Sequence, residues 1–167
     1  GRNPDMPRFS YTAGMKKNWD PTRLDVRGFA RDGAQVAGHS PATAWPRLKE
    51  EQYPDSVSPA MAPVHWRLSG QVKELRGGAH QTWLRVEAET TLRLICQRCL
   101  EPMGQALVVD RLFRFVSSEQ VAMDEDDQAE EDLLVASQAF DAMALIEDEL
   151  ILALPLVPRH PECLPPA

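Results

Sequence analysis

At 167 residues the chain is long enough to bury one hydrophobic core, and one domain with loose ends is the expectation. Three cysteines are too few for a disulfide framework, so a reducing compartment fits better than secretion. The net charge of −7 hides a division: residues 1–116 hold 17 Lys and Arg against 12 Asp and Glu, whereas residues 117–167 hold 1 against 13. A basic body suits a polyanion, and an acidic final third suits solvent or a basic protein. The plainer alternative is that the acidic stretch only keeps the protein soluble.

Gly1 to Asp5, ahead of Met6, read as an expression remnant, and residues 1–19 as a flexible terminus or part of that remnant. No apolar signal core follows. Asp20-Pro21 reads as a helix start, because Asp can cap free amides and proline at the first helical position loses no hydrogen bond. That predicts a short helix over 22–29, ending near Gly28 or at Asp32-Gly33. Residues 35–37 read as a brief strand, and 42–51, broken by Pro46, as a short helix beginning after the proline. Gly, Ser and Pro mark loops at 38–41 and 53–63.

From 64 to 116 the pattern is of strands. Residues 65–74 run through Gly70 to a turn at Arg76-Gly77-Gly78, whose glycines permit positive φ. In 82–88, Leu84, Val86 and Ala88 alternate with Trp83, Arg85 and Glu87, the period of a half-buried strand. Residues 91–96 repeat it, with Leu92, Leu94 and Cys96 opposite Arg93. After a turn at 99–104, another strand covers 106–116, where the alternation slips near Asp110 and Arg111. A bulge or two-sided burial would account for the slip. Short turns between successive strands imply an antiparallel meander.

Residues 117–132 carry eight acidic side chains and no basic one and read as a mobile loop. Residues 133–135 read as an edge strand. Asp141 is a good cap for a helix over 142–154, with Met143, Ile146, Leu150 and Leu154 in a stripe and Pro155 ending it. The stripe would lie on the sheet, leaving Glu147, Asp148 and Glu149 on the outer face. Those charges also make the apolar run 145–157 unfit to span a bilayer, so a cytoplasmic location is expected.

Cys96-x-x-Cys99 closes a strand in a meander instead of opening a helix in a βαβ unit, which argues against thioredoxin-like redox chemistry. Two thiolates on a tight turn suit half of a structural zinc site. His160-x-x-Cys163, separated from Cys99 by 60 intervening residues, would complete a Cys3His set of Cys96, Cys99, His160 and Cys163 around one zinc ion. Alternatively Cys96 is a small core side chain and the other three are ordinary loop residues. The four histidines lack a nucleophile context, and no phosphate-cradling glycine loop is present, so no enzyme activity is expected. Arg85, Arg93, Arg98, Arg111 and Arg114, with Trp83, Phe113 and Phe115, are compatible with RNA backbone contact and base stacking. Outward arginines over core aromatics are the equally good alternative.

The run Cys96-Gln97-Arg98-Cys99-Leu100-Glu101-Pro102 precedes an acidic stretch. The segment from Ala144-Leu145-Ile146-Glu147-Asp148-Glu149 to Ala153-Leu154-Pro155 follows, and then His160 and Cys163. Together they resemble the bacterial YceD family, the large ribosomal RNA subunit accumulation proteins. Asp20-Pro21-Thr22-Arg23-Leu24 is similar to that family's opening. The resemblance covers about 20–163. It implies a small non-catalytic factor for accumulation or processing of 23S ribosomal RNA in large-subunit biogenesis. The implied partners are that RNA or its precursor and large-subunit assembly intermediates, with no membrane and no small-molecule substrate. Family members usually run past the last cysteine into a polar segment and an Asn-Pro-Phe motif, whereas this sequence stops at Ala167. Their cysteine sets also differ, so zinc is not inherited from the resemblance.

The expected fold is α+β: an antiparallel meander covered by a C-terminal helix, with short N-terminal helices. Its single domain spans 20–163, with an acidic loop at 117–132 and a tail at 164–167. RNA contact by the five arginines is the leading expectation. The alternative is an adaptor that engages a basic ribosomal protein or assembly factor through Asp124, Glu125, Asp126, Asp127, Glu130, Glu131 and Asp132.

Overall fold

Leu24 exchanges two backbone hydrogen bonds with Phe140, each 2.8 Å from nitrogen to oxygen. This antiparallel bridge decides how the fold begins. Because it engages Leu24, the helix expected over 22–29 starts later. Asp20 caps only a turn, its Oδ1 accepting the Thr22 amide at 2.9 Å and hydroxyl at 2.6 Å. The helix cap is Asp25, whose Oδ1 accepts the Gly28 amide at 3.2 Å, and α1 spans Val26–Arg31.

The computed structural model describes residues 19–52, 62–118 and 132–161. The expected flexible terminus other than Trp19, most of the acidic loop, Cys163 and the tail lie outside them. The remaining elements are β1 (Gln35–Ser40), a 3₁₀ turn, α2 (Pro46–Lys49), β2 (Val64–Glu74), β3 (His80–Ile95), β4 (Pro102–Val116), β5 (Asp132–Val135) and α3 (Ala142–Leu152). The sheet order is β1-β2-β3-β4-β5. Its first four strands are an antiparallel meander, and β5 joins β4 in parallel. The α+β architecture is as expected, apart from that parallel edge. Gly77 and Gly78, both at φ 84°, close the β2–β3 turn.

β3 is one strand of 16 residues instead of two segments, and it pairs with β4 without interruption from Thr82↔Phe115 to Ile95↔Pro102. No bulge lies near Asp110. The slip arises because Arg111 occupies the core-side row with Leu107, Val109, Phe113 and Phe115, where it meets Glu149 of α3. Two-sided burial does begin farther on, with four successive buried residues from Phe113 to Val116.

Even-numbered residues of β2 and β3 and odd-numbered residues of β4 point to one core. Leu68, Leu84, Val86, Leu92 and Leu107 meet Phe29, Trp45, Leu48, Ile146 and Leu150 there. α1 packs on β2 and β3, and α3 on β3 and β4. α1 comes so close to β2 that a Cβ at Gly70 would lie 2.8 Å from the Ala30 Cα.

The cap of α3 is as expected, with Asp141 Oδ1 accepting the Ala144 amide at 2.9 Å. The outer-face assignment of its acidic triplet holds for the exposed Asp148 and is corrected for Glu147 and the half-buried Glu149. Glu147 is buried, its Oε2 accepting the amides of Arg47 and Leu48 at 3.0 and 3.1 Å. Glu149 meets Arg111 at 2.7 Å and Asp148 meets Arg47 at 2.7 Å. The helix period already puts Glu147 on the face of Met143 and Leu150, four and three residues away.

Candidate metal centre and basic surface

Cys96 directly follows β3 and is fully buried, while Cys99 and His160 are half-buried. A tight reversal follows Cys96, whose N–H donates to Glu101 O at 2.9 Å while its carbonyl accepts the Leu100 amide at 2.8 Å. Leu100 pays for the reversal with φ 64°, a conformation costing an L-residue roughly 1–2 kcal/mol. The segment after α3 returns to this turn: Gln97 N–H donates to Pro158 O at 2.8 Å. The His160 N–H points at Cys96 Sγ from 3.4 Å.

As a result, one ligand atom from each of Cys96, Cys99 and His160 lies within 4.8 Å of the others. Cys99 Sγ is 3.3 Å from His160 Nδ1. Ligands tetrahedrally arranged around zinc, at its usual bond lengths to sulfur and nitrogen, sit roughly 3.5–3.8 Å apart, so this trio needs little adjustment to hold a metal ion. The electrostatics suit one too. Burial pushes the Cys96 thiol up, but the amides of Cys99, His160 and Arg98, aided by the Cys99 side chain, bring it down to about 5. Amide donors around a sulfur favour the thiolate, which is the form that binds metal. Thus three of the four expected ligands are brought together, and Cys163 lies outside the described residues.

The stretch just described carries a family signature. Residues 84–166 match the family model described as large ribosomal RNA subunit accumulation protein YceD. The chain belongs to the YceD family. The match runs from β3 through the cysteine turn, β4, β5 and α3 to beyond His160. No solved structure matches the chain. Among the described residues, no helix is long and apolar enough to cross a membrane.

In this YceD-family chain the five expected RNA-binding arginines do not share one surface. Arg85 lies on the sheet face away from the core, where Asp110 accepts from its Nε and Nη2 at 2.9 and 2.8 Å. That bond raises the Arg85 pKa and holds the Asp110 carboxyl below its ordinary value. Arg111 lies on the core side, ion-paired with Glu149 and Asp132. Arg114 is 9% exposed. Arg93 is half-buried, with an Nε that has no hydrogen-bond partner among the described residues. Arg98 is exposed, on the cysteine turn itself.

The aromatic part of the expectation is corrected. Phe113 and Phe115 are core residues at 2% and 5% exposure. Trp83 is 7% exposed, with Lys73 Nζ 3.9 Å from its ring centroid. None of the three offers a free ring face for stacking. Of the acidic interaction residues, Asp124, Glu125, Asp126, Asp127, Glu130 and Glu131 lie outside the described residues. Asp132 sits on β5, paired with Arg111. The sequence reading missed Arg159, an exposed side chain next to His160. Its signal was available, for it is the one basic residue after position 116.

Proposed function

We propose that the chain is a non-catalytic factor in the accumulation or processing of 23S ribosomal RNA during large-subunit biogenesis, contacting the RNA or a pre-ribosomal particle. The observation that carries this reading is the family match over 84–166. The fold adds support through the exposed Arg98, carried on a turn tied to the segment after α3. Such work takes place in the cytoplasm and needs neither a membrane nor a small-molecule substrate.

One structural zinc ion belongs to the same reading, held by Cys96, Cys99 and His160 with Cys163 as the fourth ligand. Sulfur and imidazole donors suit zinc, and a closed set of four leaves no position for substrate. Its part would be to pin the C-terminal segment to the end of the sheet.

Binding to 23S RNA fragments and to purified precursor particles, measured over a salt series, tests the proposal. Salt-sensitive association with either one is expected. Absence of association with both at low salt would overturn it. The adaptor alternative predicts instead that removing the acidic stretch abolishes particle association while arginine substitutions leave it unchanged.

A further inference from the structure

The hollow beside the cysteine turn differs in composition from three others among the described residues. It encloses about 450 Å³ and brings together Arg98, Gln105, Arg159 and His160 between Pro155 and Pro161. No described carboxylate lines it. Three other hollows of similar size each contain at least one: Glu87, Glu89 and Asp110 on the bare sheet face, Asp132, Asp148 and Glu149 beside α3, and Asp25 beside α1. Arg98 and Arg159 are both exposed, and neither forms an ion pair with a described carboxylate.

The backbone segments that carry the two arginines are also held together. Gln97 N–H donates to Pro158 O at 2.8 Å, so Arg98 and Arg159 each follow one member of a hydrogen-bonded pair. The next contact, from His160 N–H to Cys96 Sγ, lies on the other side of Arg159. Prolines at 155, 158 and 161 restrict the backbone of this segment, so little entropy remains to be lost on binding. Gln105 Nε2 donates to Ala106 O at 3.0 Å, which leaves its second N–H for a ligand.

We propose that this hollow is a phosphodiester site, in which Arg98 and Arg159 grip one backbone phosphate of single-stranded RNA and Gln105 donates a further hydrogen bond. Planar guanidinium forks match the oxygens of a phosphate, and two of them offset its charge. The proposal rests on the RNA reading above and adds the residues and the chemical group recognised. Because Arg159 is held by contacts to the cysteine turn, the site depends on the Cys96–Cys99–His160 cluster remaining assembled.

The test is fluorescence anisotropy with a labelled single-stranded oligoribonucleotide and the full, metal-containing chain over a salt series. Arg98→Ala and Arg159→Ala are each expected to weaken binding about tenfold at low salt. Each should also flatten the slope of log affinity against log salt by about 0.7. Arg159→Lys should retain the slope, and Arg67→Ala, on the bare sheet face, should change nothing. Chelator-stripped protein that keeps its circular dichroism should bind like Arg159→Ala. Normal affinity and slope in both alanine variants would overturn the hollow while leaving the RNA reading intact. Absence of RNA binding by the unaltered chain would overturn the RNA-contact reading itself. If polyglutamate binds through the same arginines and RNA binds no tighter, the ligand is an acidic protein and the assignment to RNA fails.

Discussion

Glu147 caps α2 from across the core: its Oε2 accepts the amides of Arg47 and Leu48 at 3.0 and 3.1 Å. α2 needs this, since Trp45 at its N-cap supplies no side-chain acceptor. Glu147→Ala would leave two amides without an acceptor at a site only 6% exposed. A loss of about 2–4 kcal/mol is expected. Glu147→Gln keeps one acceptor oxygen and should lose less. Urea unfolding checks both, through a lower midpoint at unchanged m-value.

Protein purified without chelator should carry about one equivalent of zinc, and Cys99→Ser or His160→Ala should reduce it sharply. Metal analysis of folded samples decides this, and a content below about a tenth of an equivalent would exclude the site. In stripped protein the Cys96 thiolate should persist down to about pH 5. The sign follows from a folded pKa below the unfolded one, about 8.5. The thiolate's contribution to stability is complete above the unfolded value, shrinks as pH falls, and is gone below about 5. Thiolate absorbance against pH reads the inflection directly.

The Arg85–Asp110 pair predicts a smaller pH effect on the bare sheet face. Hydrogen bonding to Arg85 lowers the Asp110 pKa, so its contribution is present above the ordinary carboxylate range and lost as pH falls through the depressed value. Both side chains are about half exposed, which keeps the effect small and sensitive to salt. Carboxyl NMR should find the Asp110 pKa rising toward its ordinary value in Arg85→Ala. An unchanged titration would mean that the pair does not form in solution.

Two glycines on the sheet should respond differently to alanine. At Gly70 a Cβ would meet Phe29 Cδ2 at 2.7 Å and the Ala30 backbone at 2.8 and 2.9 Å. Backbone cannot swing aside, so Gly70→Ala should cost about 1–3 kcal/mol. At Gly104 the nearest atom is Thr91 Cγ2 at 3.7 Å, an ordinary contact. Gly104→Ala should stay within about 0.5 kcal/mol of the parent. Thermal unfolding of the two variants side by side provides the comparison.

What the sequence makes legible is what local period controls. Alternation along 64–95 marks the strands because one face of the sheet is buried and the other is not. Asp141 announces α3 because its cap lies within a few residues of it. The cysteine turn and His160 can be matched because metal-ligand chemistry narrows the choice of partners. Asp20 carries the same capping group as Asp25, and the backbone bridge from Leu24 to Phe140 moves the helix start to Asp25. Glu147 reads as a solvent charge because two of its partners are main-chain amides, which leave no trace in residue type, and the third, Arg47, is 100 residues away in sequence. The arginines look like one surface until the β3–β4 register separates Arg111 from Arg85.

Pro21 O accepts the first two amides of α3, Ala142 N at 2.8 Å and Met143 N at 3.3 Å, beside the Leu24–Phe140 bridge. The opening of the chain therefore completes a helix near its end. A nascent polypeptide cannot form these links until α3 has been synthesised, and contacts so distant in sequence slow folding. The fold is thus closed late, and the stretch 84–166, made alone, would lack the carbonyl that receives its last helix and the strand that borders β3.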